Sequence, residues 1–177
     1  MFAVILPAAG TGSRFGGDKL LADLAGKSVL QRSVRLFTQR ADVSHIVVVT
    51  SADRIETYSA HLGAEGERVA WVEGGAQRWQ SVLNGLRYLA GVFAALPEDK
   101  RPGYVGVHDA ARPLCLQGVI DRAFGAAVVH GGGLPCVPEP ATLKRGSSGV
   151  GAEKMVVEMR QSCVIAGVAD GLFCRTN

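Results

Sequence analysis

The sequence predicts an α/β fold, a Rossmann-like three-layer sandwich around a mostly parallel sheet. Three observations carry this. Short apolar runs at residues 2–6, 46–50, 69–72 and 104–107 contain almost no alternating polar residues, the pattern of strands buried on both faces. Each run leads through a turn into a stretch whose apolar residues recur at helical spacing. The chain has 177 residues with 47% hydrophobic content, enough for one domain with a sizeable core.

Taken in order, residues 2–6 (FAVIL) form the first strand, and Pro7 ends it. Small residues follow: Ala8, Ala9, Gly10, Thr11, Gly12 and Ser13. Arg14 and Lys19 come next, with Gly16 and Gly17 between them. A buried strand opening into such a turn exposes backbone N–H groups that can wrap an oxyanion. The glycine spacing, Gly10-x-Gly12-x-x-x-Gly16, matches neither the dinucleotide fingerprint nor a Walker A loop. The glycines alone fit an ordinary strand-to-helix turn equally well. Two cations in the same short loop favour an anion site, and we read it as a triphosphate cradle.

Residues 20–27 form a connector with a turn at Ala25-Gly26-Lys27. Ser28 can cap a helix reaching Arg40, with Val29, Leu30, Val34 and Phe37 on one face. The strand at 46–50 meets Ser51 and Asp53, then a helix over 54–62 that the glycines of 63–66 break. The strand at 69–72 ends in Glu73-Gly74-Gly75, and a helix spans 76–90 with Val82, Leu83, Leu86 and Leu89 at helical spacing. Gly74, Gly75 and Ser81 are placed to approach a ligand, with Arg78 and Gln80 beside them. A plain turn is the competing reading. Residues 97–103 read as a surface loop.

The strand Tyr104–Val107 delivers His108-Asp109-Ala110-Ala111-Arg112-Pro113. An Asp at the C-terminal end of a central strand sits where α/β sheets place catalytic groups. Asp109 could hold a divalent cation that bridges phosphates, with Arg112 neutralising a phosphate. The alternative is an Asp–Arg pair capping the next helix. That helix spans Gln117–His130. Gly131 to Gly133 end it, and residues 134–137 are expected as a fifth strand. Glycine and serine dominate 146–151, a flexible turn, and 155–159 and 164–168 are further candidate strands.

Composition narrows function. Aromatic content of 6% argues against stacking platforms for single-stranded nucleic acid. A net charge of +3 is too weak for a duplex-binding surface but suits small anionic substrates. No apolar run reaches membrane-span length, and the short apolar start lacks a basic leader, so a cytoplasmic location is expected. Cys115, Cys136, Cys163 and Cys174 are widely spread without Cys-x-x-Cys spacing. They are expected as reduced, mostly buried thiols.

Together, Pro7 to Arg14 with Lys19, Gly74 to Leu86, His108 to Pro113, and Thr142-Leu143-Lys144-Arg145 closely resemble the 2-C-methyl-D-erythritol 4-phosphate cytidylyltransferase family over residues 1–145. The resemblance implies in-line attack by the phosphate of the methylerythritol substrate on the α-phosphorus of CTP, in isoprenoid precursor synthesis. It implies catalytic roles for Arg14 and Lys19. Nucleotide contacts would come from Pro7, Ala8, Ala9, Gly10, Thr11, Gly12, Gly74, Gly75, Ser81 and Ala110, of which Gly75 and Ser81 match positions that read cytosine and ribose. Substrate contacts would come from Asp109, Arg112 and Thr142, with Asp109 also meeting Mg2+. A protruding β-arm after Thr142, over 140–160, would clasp a second subunit in a homodimer.

This sequence departs from the family's pattern at several places. Its loop from Arg14 to Lys19 is shorter, Asp18 replaces the usual proline, and Ala76 replaces an acid. The family also continues for several more elements where this sequence stops at Asn177, so the resemblance implies either a piece of a longer protein or a single nucleotidyltransferase domain over 1–177 without the family's C-terminal elements. Two alternatives remain at this stage: the same chemistry on another acceptor such as ribitol 5-phosphate, and an inactive nucleotide-binding protein.

Overall fold

The computed structural model describes residues 1–10, 16–136 and 164–167. The strands are β1 (Phe2–Pro7), β2 (Asp23–Leu24), β3 (Lys27–Ser28), β4 (Val43–Thr50), β5 (Val69–Glu73), β6 (Tyr104–Val107), β7 (Gly132–Gly133) and β8 (Val164–Gly167). The helices are α1 (Val29–Thr38), α2 (Ala52–Leu62), α3 (Arg78–Ala94) and α4 (Gln117–His130). Arg14, Thr11, Gly12, Thr142, the 140–160 arm, the 155–159 strand, Cys163 and Cys174 lie outside the described residues.

The main sheet has the order β5-β4-β1-β6-β8-β7. β1 is central and pairs in parallel with β4 and β6, and β4 pairs in parallel with β5. Only β8 departs, running antiparallel to both β6 and β7. The expected mostly parallel sheet is therefore present.

The residues of β1 show why both faces must be covered. Phe2, Val4 and Leu6 join one buried cluster with Leu30, Val34 and Phe37 of α1, Tyr58 of α2, and Ile120 and Phe124 of α4. Ala3 and Ile5 join a second with Leu89 and Phe93 of α3. Successive side chains on a strand point to opposite faces, so an unbroken apolar run demands a helix layer on each side. α3 comes especially close: a Cβ on Gly85 would sit 2.9 Å from Ile5 Cγ2 and 3.1 Å from Val49 Cγ2.

α1 starts where expected. Ser28 Oγ accepts from Gln31 N at 3.1 Å, and Gln31 Oε1 accepts from Ser28 N at 2.9 Å, a capping box. Replacing Ser28 with alanine removes half of it and should cost about 1 kcal/mol, read as a lower urea midpoint with unchanged slope. The 20–27 connector contains the β2–β3 hairpin. Ala25 (φ 51°) and Gly26 (φ 79°) both adopt positive φ at its turn, as a two-residue type I′ connection requires.

Several boundaries differ from expectation for identifiable reasons. β1 continues through Pro7, which pairs with Val49; its pairing with β6 stops at Ile5, so the missing N–H breaks no ladder on that side. β4 begins at Val43, which pairs with Phe2; the register then skips the exposed Ser44, which interrupts the apolar run, and pairing resumes at His45 opposite Ala3.

The fifth strand expected at 134–137 is not formed at Leu134 to Cys136, and Val137 lies outside the described residues. The pairing falls instead on Gly132 and Gly133, opposite Ala166 and Ile165. Gly131, at φ 79°, closes α4 by donating to Ala127 O at 2.8 Å. The chain thus turns back toward the sheet at once. Gly133 then passes so close to the Ala123 backbone that no side chain would fit.

Cys115 is half-buried, and burial pushes its thiol pKa up. Cys136 is exposed, contrary to the expectation that the thiols are mostly buried.

Candidate active site

The C-terminal ends of β1 and β6 and the turn between β5 and α3 enclose one cleft of about 650 Å³. Its first wall is Pro7, Ala8, Ala9 and Gly10. This wall is tied to the sheet: Ala8 N donates to Val49 O at 2.7 Å, and Thr50 Oγ1 donates to Ala8 O at 3.4 Å.

The second wall is Gly75, Ala76, Gln77, Arg78 and Ser81. Gly74 lies behind it, donating to Thr50 O at 2.7 Å. A Cβ on Gly74 would sit 2.9 Å from both Ala9 Cβ and Ser81 Oγ. Glycine at position 74 therefore lets the second wall touch the first. Ser81 is buried; its Oγ accepts from Gly75 N at 3.2 Å and fixes the turn into α3.

The third wall is Asp109, Ala111 and Arg112. The turn is anchored from below: His108 N donates to Ile5 O at 2.9 Å and Ala110 N to Pro7 O at 3.2 Å. The His108 ring is fully buried, packs edge-on to Phe37 at 5.2 Å between centroids, and donates through Nε2 to the Arg112 carbonyl at 2.9 Å. Lys19 and Leu20 complete the lining.

Among the described residues, Lys19, Arg78 and Arg112 thus face a single carboxylate, Asp109, around the cleft. That excess suits a polyanion. Asp109 Oδ1 accepts from Arg78 Nε at 2.9 Å and Nη2 at 2.7 Å, and Oδ2 accepts from Arg112 Nε at 3.1 Å. The Arg78 side chain is 55% exposed and that of Arg112 is 40% exposed. Solvated pairs of this kind contribute at most about 1 kcal/mol, so an arriving phosphate can compete for either guanidinium.

Among the described residues, no three His, Cys, Asp or Glu side chains form a metal cluster. A divalent cation bound with phosphates needs only one or two protein carboxylates. Asp109 Oδ2 accepts one bond from Arg112 and, with two lone pairs, can still meet a hard cation.

Most of the expected site residues within the described range converge here: Pro7, Ala8, Ala9, Gly10, Lys19, Gly75, Ser81, Asp109 and Arg112. Ala110 does not. It is fully buried, its carbonyl accepts from Ser33 Oγ at 2.6 Å, and Ala111 takes its place in the lining. Arg78 proves more central than its sequence suggests, because its fork on Asp109 joins the second wall to the third. Its position in the first turn of the helix after Gly74-Gly75 is the signal that marks it.

The family model for 2-C-methyl-D-erythritol 4-phosphate cytidylyltransferase matches residues 2–162. The chain belongs to that family. Among curated relatives of this cytidylyltransferase-family chain, the protein named 2-C-methyl-D-erythritol 4-phosphate cytidylyltransferase from Ralstonia nicotianae is 40% identical over 154 residues, covering 82% of this chain and 59% of its own. The bifunctional enzyme IspD/IspF of Rhodospirillum rubrum is 35% identical over 150 residues, covering 84% of this chain and 37% of its own. The chain spans less than two thirds of the length of either of these two curated relatives. A crystal structure of a 4-diphosphocytidyl-2C-methyl-D-erythritol synthase superimposes with a TM-score of 0.70 at 25% identity, covering 94% of this chain and 74% of that one. The synthase from Anaerococcus prevotii, at 17% identity and a TM-score of 0.73 over 94% of this chain and 71% of that one, shares the fold.

Proposed function

We propose that this chain carries a site for cytidylyl transfer from CTP to 2-C-methyl-D-erythritol 4-phosphate, giving the CDP-alcohol and pyrophosphate. The observation that supports it is the convergence of three strand-end walls on one cation-lined cleft in a chain of this family. A phosphate oxygen of the acceptor attacks the α-phosphorus of CTP in line. The new P–O bond forms as the bond to the β-phosphate's bridging oxygen breaks, and pyrophosphate leaves with the electron pair. Both reactants are anions, so the barrier is mostly repulsion and misorientation. Fixed cations and fixed walls address those two costs directly.

Each wall has a role in this reading. Pro7, Ala8, Ala9 and Gly10 form a close-fitting side for the nucleotide, and Gly75 and Ser81 bound the base and ribose. Lys19 holds the triphosphate and meets the charge that grows on the leaving pyrophosphate. Arg112 and Asp109 face the polyol phosphate, and Arg78 is released from Asp109 as phosphate enters. Arg14 and Thr142 are assigned with them on the family resemblance, as catalytic cation and acceptor contact. Asp109 would hold Mg2+ together with the phosphates of the nucleotide, and the ion would supply further neutralisation of phosphate charge. The protein acts in this reading as a cytoplasmic homodimer joined through residues 140–160, without nucleic-acid or membrane partners. No described helix is long and apolar enough to cross a membrane.

The test is pyrophosphate release from CTP and Mg2+ with either methylerythritol phosphate or ribitol 5-phosphate. Release with methylerythritol phosphate alone is the expected result. Release with ribitol phosphate alone would move the assignment to another acceptor. Binding of CTP without release from either would make this chain a nucleotide-binding protein.

A further inference from the structure

Asp18 poses an electrostatic problem. It precedes Lys19, and a carboxylate at a triphosphate site opposes the ligand. In the structure Lys19 and Leu20 line the cleft while Asp18 does not. Its side chain is taken up elsewhere. Oδ1 accepts from Leu20 N at 3.0 Å, and Oδ2 accepts from the Tyr58 hydroxyl at 2.6 Å. The Arg54 guanidinium stands 3.8 Å from Oδ2 and donates to the Tyr58 oxygen at 3.3 Å. The same Arg54 Nη1 donates to the Gly10 carbonyl at 3.4 Å. Arg54 therefore reaches both the end of the first wall and the residue before Lys19.

We propose that Tyr58 and Arg54 of α2 are positioning residues, which hold the Asp18 carboxylate out of the cleft, neutralise it, and thereby set Lys19 for the triphosphate. Neither lines the cleft, and each acts through Asp18. Tyr58 is fully buried, with its hydroxyl aimed at Asp18 from the core. Burial first, then the bond to Asp18, pushes its pKa up to about 12. The phenol therefore remains a donor throughout the range in which the protein would work. A short bond from a neutral donor to a carboxylate is among the stronger hydrogen bonds, and it fixes the side chain of the residue immediately before Lys19. Arg54 supplies the charge that Tyr58 cannot. Together they explain how an acid is tolerated at position 18.

This proposal rests on the reading of the cleft as a triphosphate site, and its test separates the two. Binding of inorganic triphosphate and of CTP to the full chain is measured by titration calorimetry, with thermal melts alongside. The variants are Lys19→Ala, Tyr58→Phe, Arg54→Ala, and Arg54→Ala combined with Asp18→Asn. Tyr58→Phe keeps the buried ring and loses only the donor. Tyr58→Phe and Arg54→Ala should each weaken triphosphate binding by about three- to tenfold, the range that one lost hydrogen bond spans. Adding Asp18→Asn to Arg54→Ala should restore binding, because the stranded charge is gone; a purely structural role for Arg54 would show no such rescue. Wild-type binding by both single variants, with weakened binding by Lys19→Ala, would overturn the positioning role and leave the site intact. Failure of Asp18→Asn to rescue would overturn the electrostatic account. Unchanged binding by Lys19→Ala would overturn the triphosphate reading, and this proposal with it.

Discussion

Replacing Lys19 with alanine should lower kcat for pyrophosphate release by about 100- to 1,000-fold, the cost of removing one preorganised group that meets transition-state charge. The melting temperature should barely move, since the residue is only partly buried and makes no ion pair among the described residues. The size of the effect follows from the cleft's charge count. Arg78 and Arg112 are each engaged with Asp109, whereas Lys19 is the lining cation without a described carboxylate partner. Lys19→Arg should recover part of the rate, because the charge returns in a wider, forked group. Steady-state kinetics with CTP and the methylerythritol acceptor decides the matter. A Lys19→Ala protein that turns over at the wild-type rate would remove Lys19 from the mechanism.

Phe37→Ala should destabilise the fold by about 3–5 kcal/mol, the usual cost of emptying a buried aromatic site. For a chain of this size, that lowers the melting temperature by roughly 6–20 °C. Phe37 is fully buried at the end of α1, between β1 and the His108 ring. The consequence should reach the site. His108 holds the Arg112 carbonyl, and Arg112 holds Asp109. A cavity beside His108 therefore frees the turn that carries two lining residues. Thermal melts give the first number. Activity measured well below the variant's own midpoint gives the second, and should show a raised KM for the phosphate acceptor. A melting temperature within about 2 °C of wild type, below the expected range, would show that the core around Phe37 collapses to fill the space.

Much of the fold follows from local features of the chain. The apolar run at 2–6, the β-branched run at 46–50 and the run at Tyr104–Val107 have no stable place except between two helix layers, and β1, β4 and β6 lie there. Ser28 with Gln31 marks a helix start within four residues, and α4 keeps both of its expected ends. The glycine turns at 8–10 and 74–75 are legible for the same reason: a tight turn at a strand end needs small residues wherever it occurs.

What the chain alone left open depends on distant partners. The edge pairing falls on Gly132 and Gly133 rather than the more apolar Leu134 to Cys136, because β8 sits opposite them. Ala110 and Ala111 are chemically alike, and only the carbonyl bond from Ser33, 77 positions away, turns the first into the core. Arg78 meets Asp109 across 31 positions and Tyr58 meets Asp18 across 40. A residue's type determines which charge or donor it can offer. Which neighbour receives that offer is decided by packing between segments far apart in sequence, and here that packing gathers the cations around one cleft and keeps the opposing acid outside it.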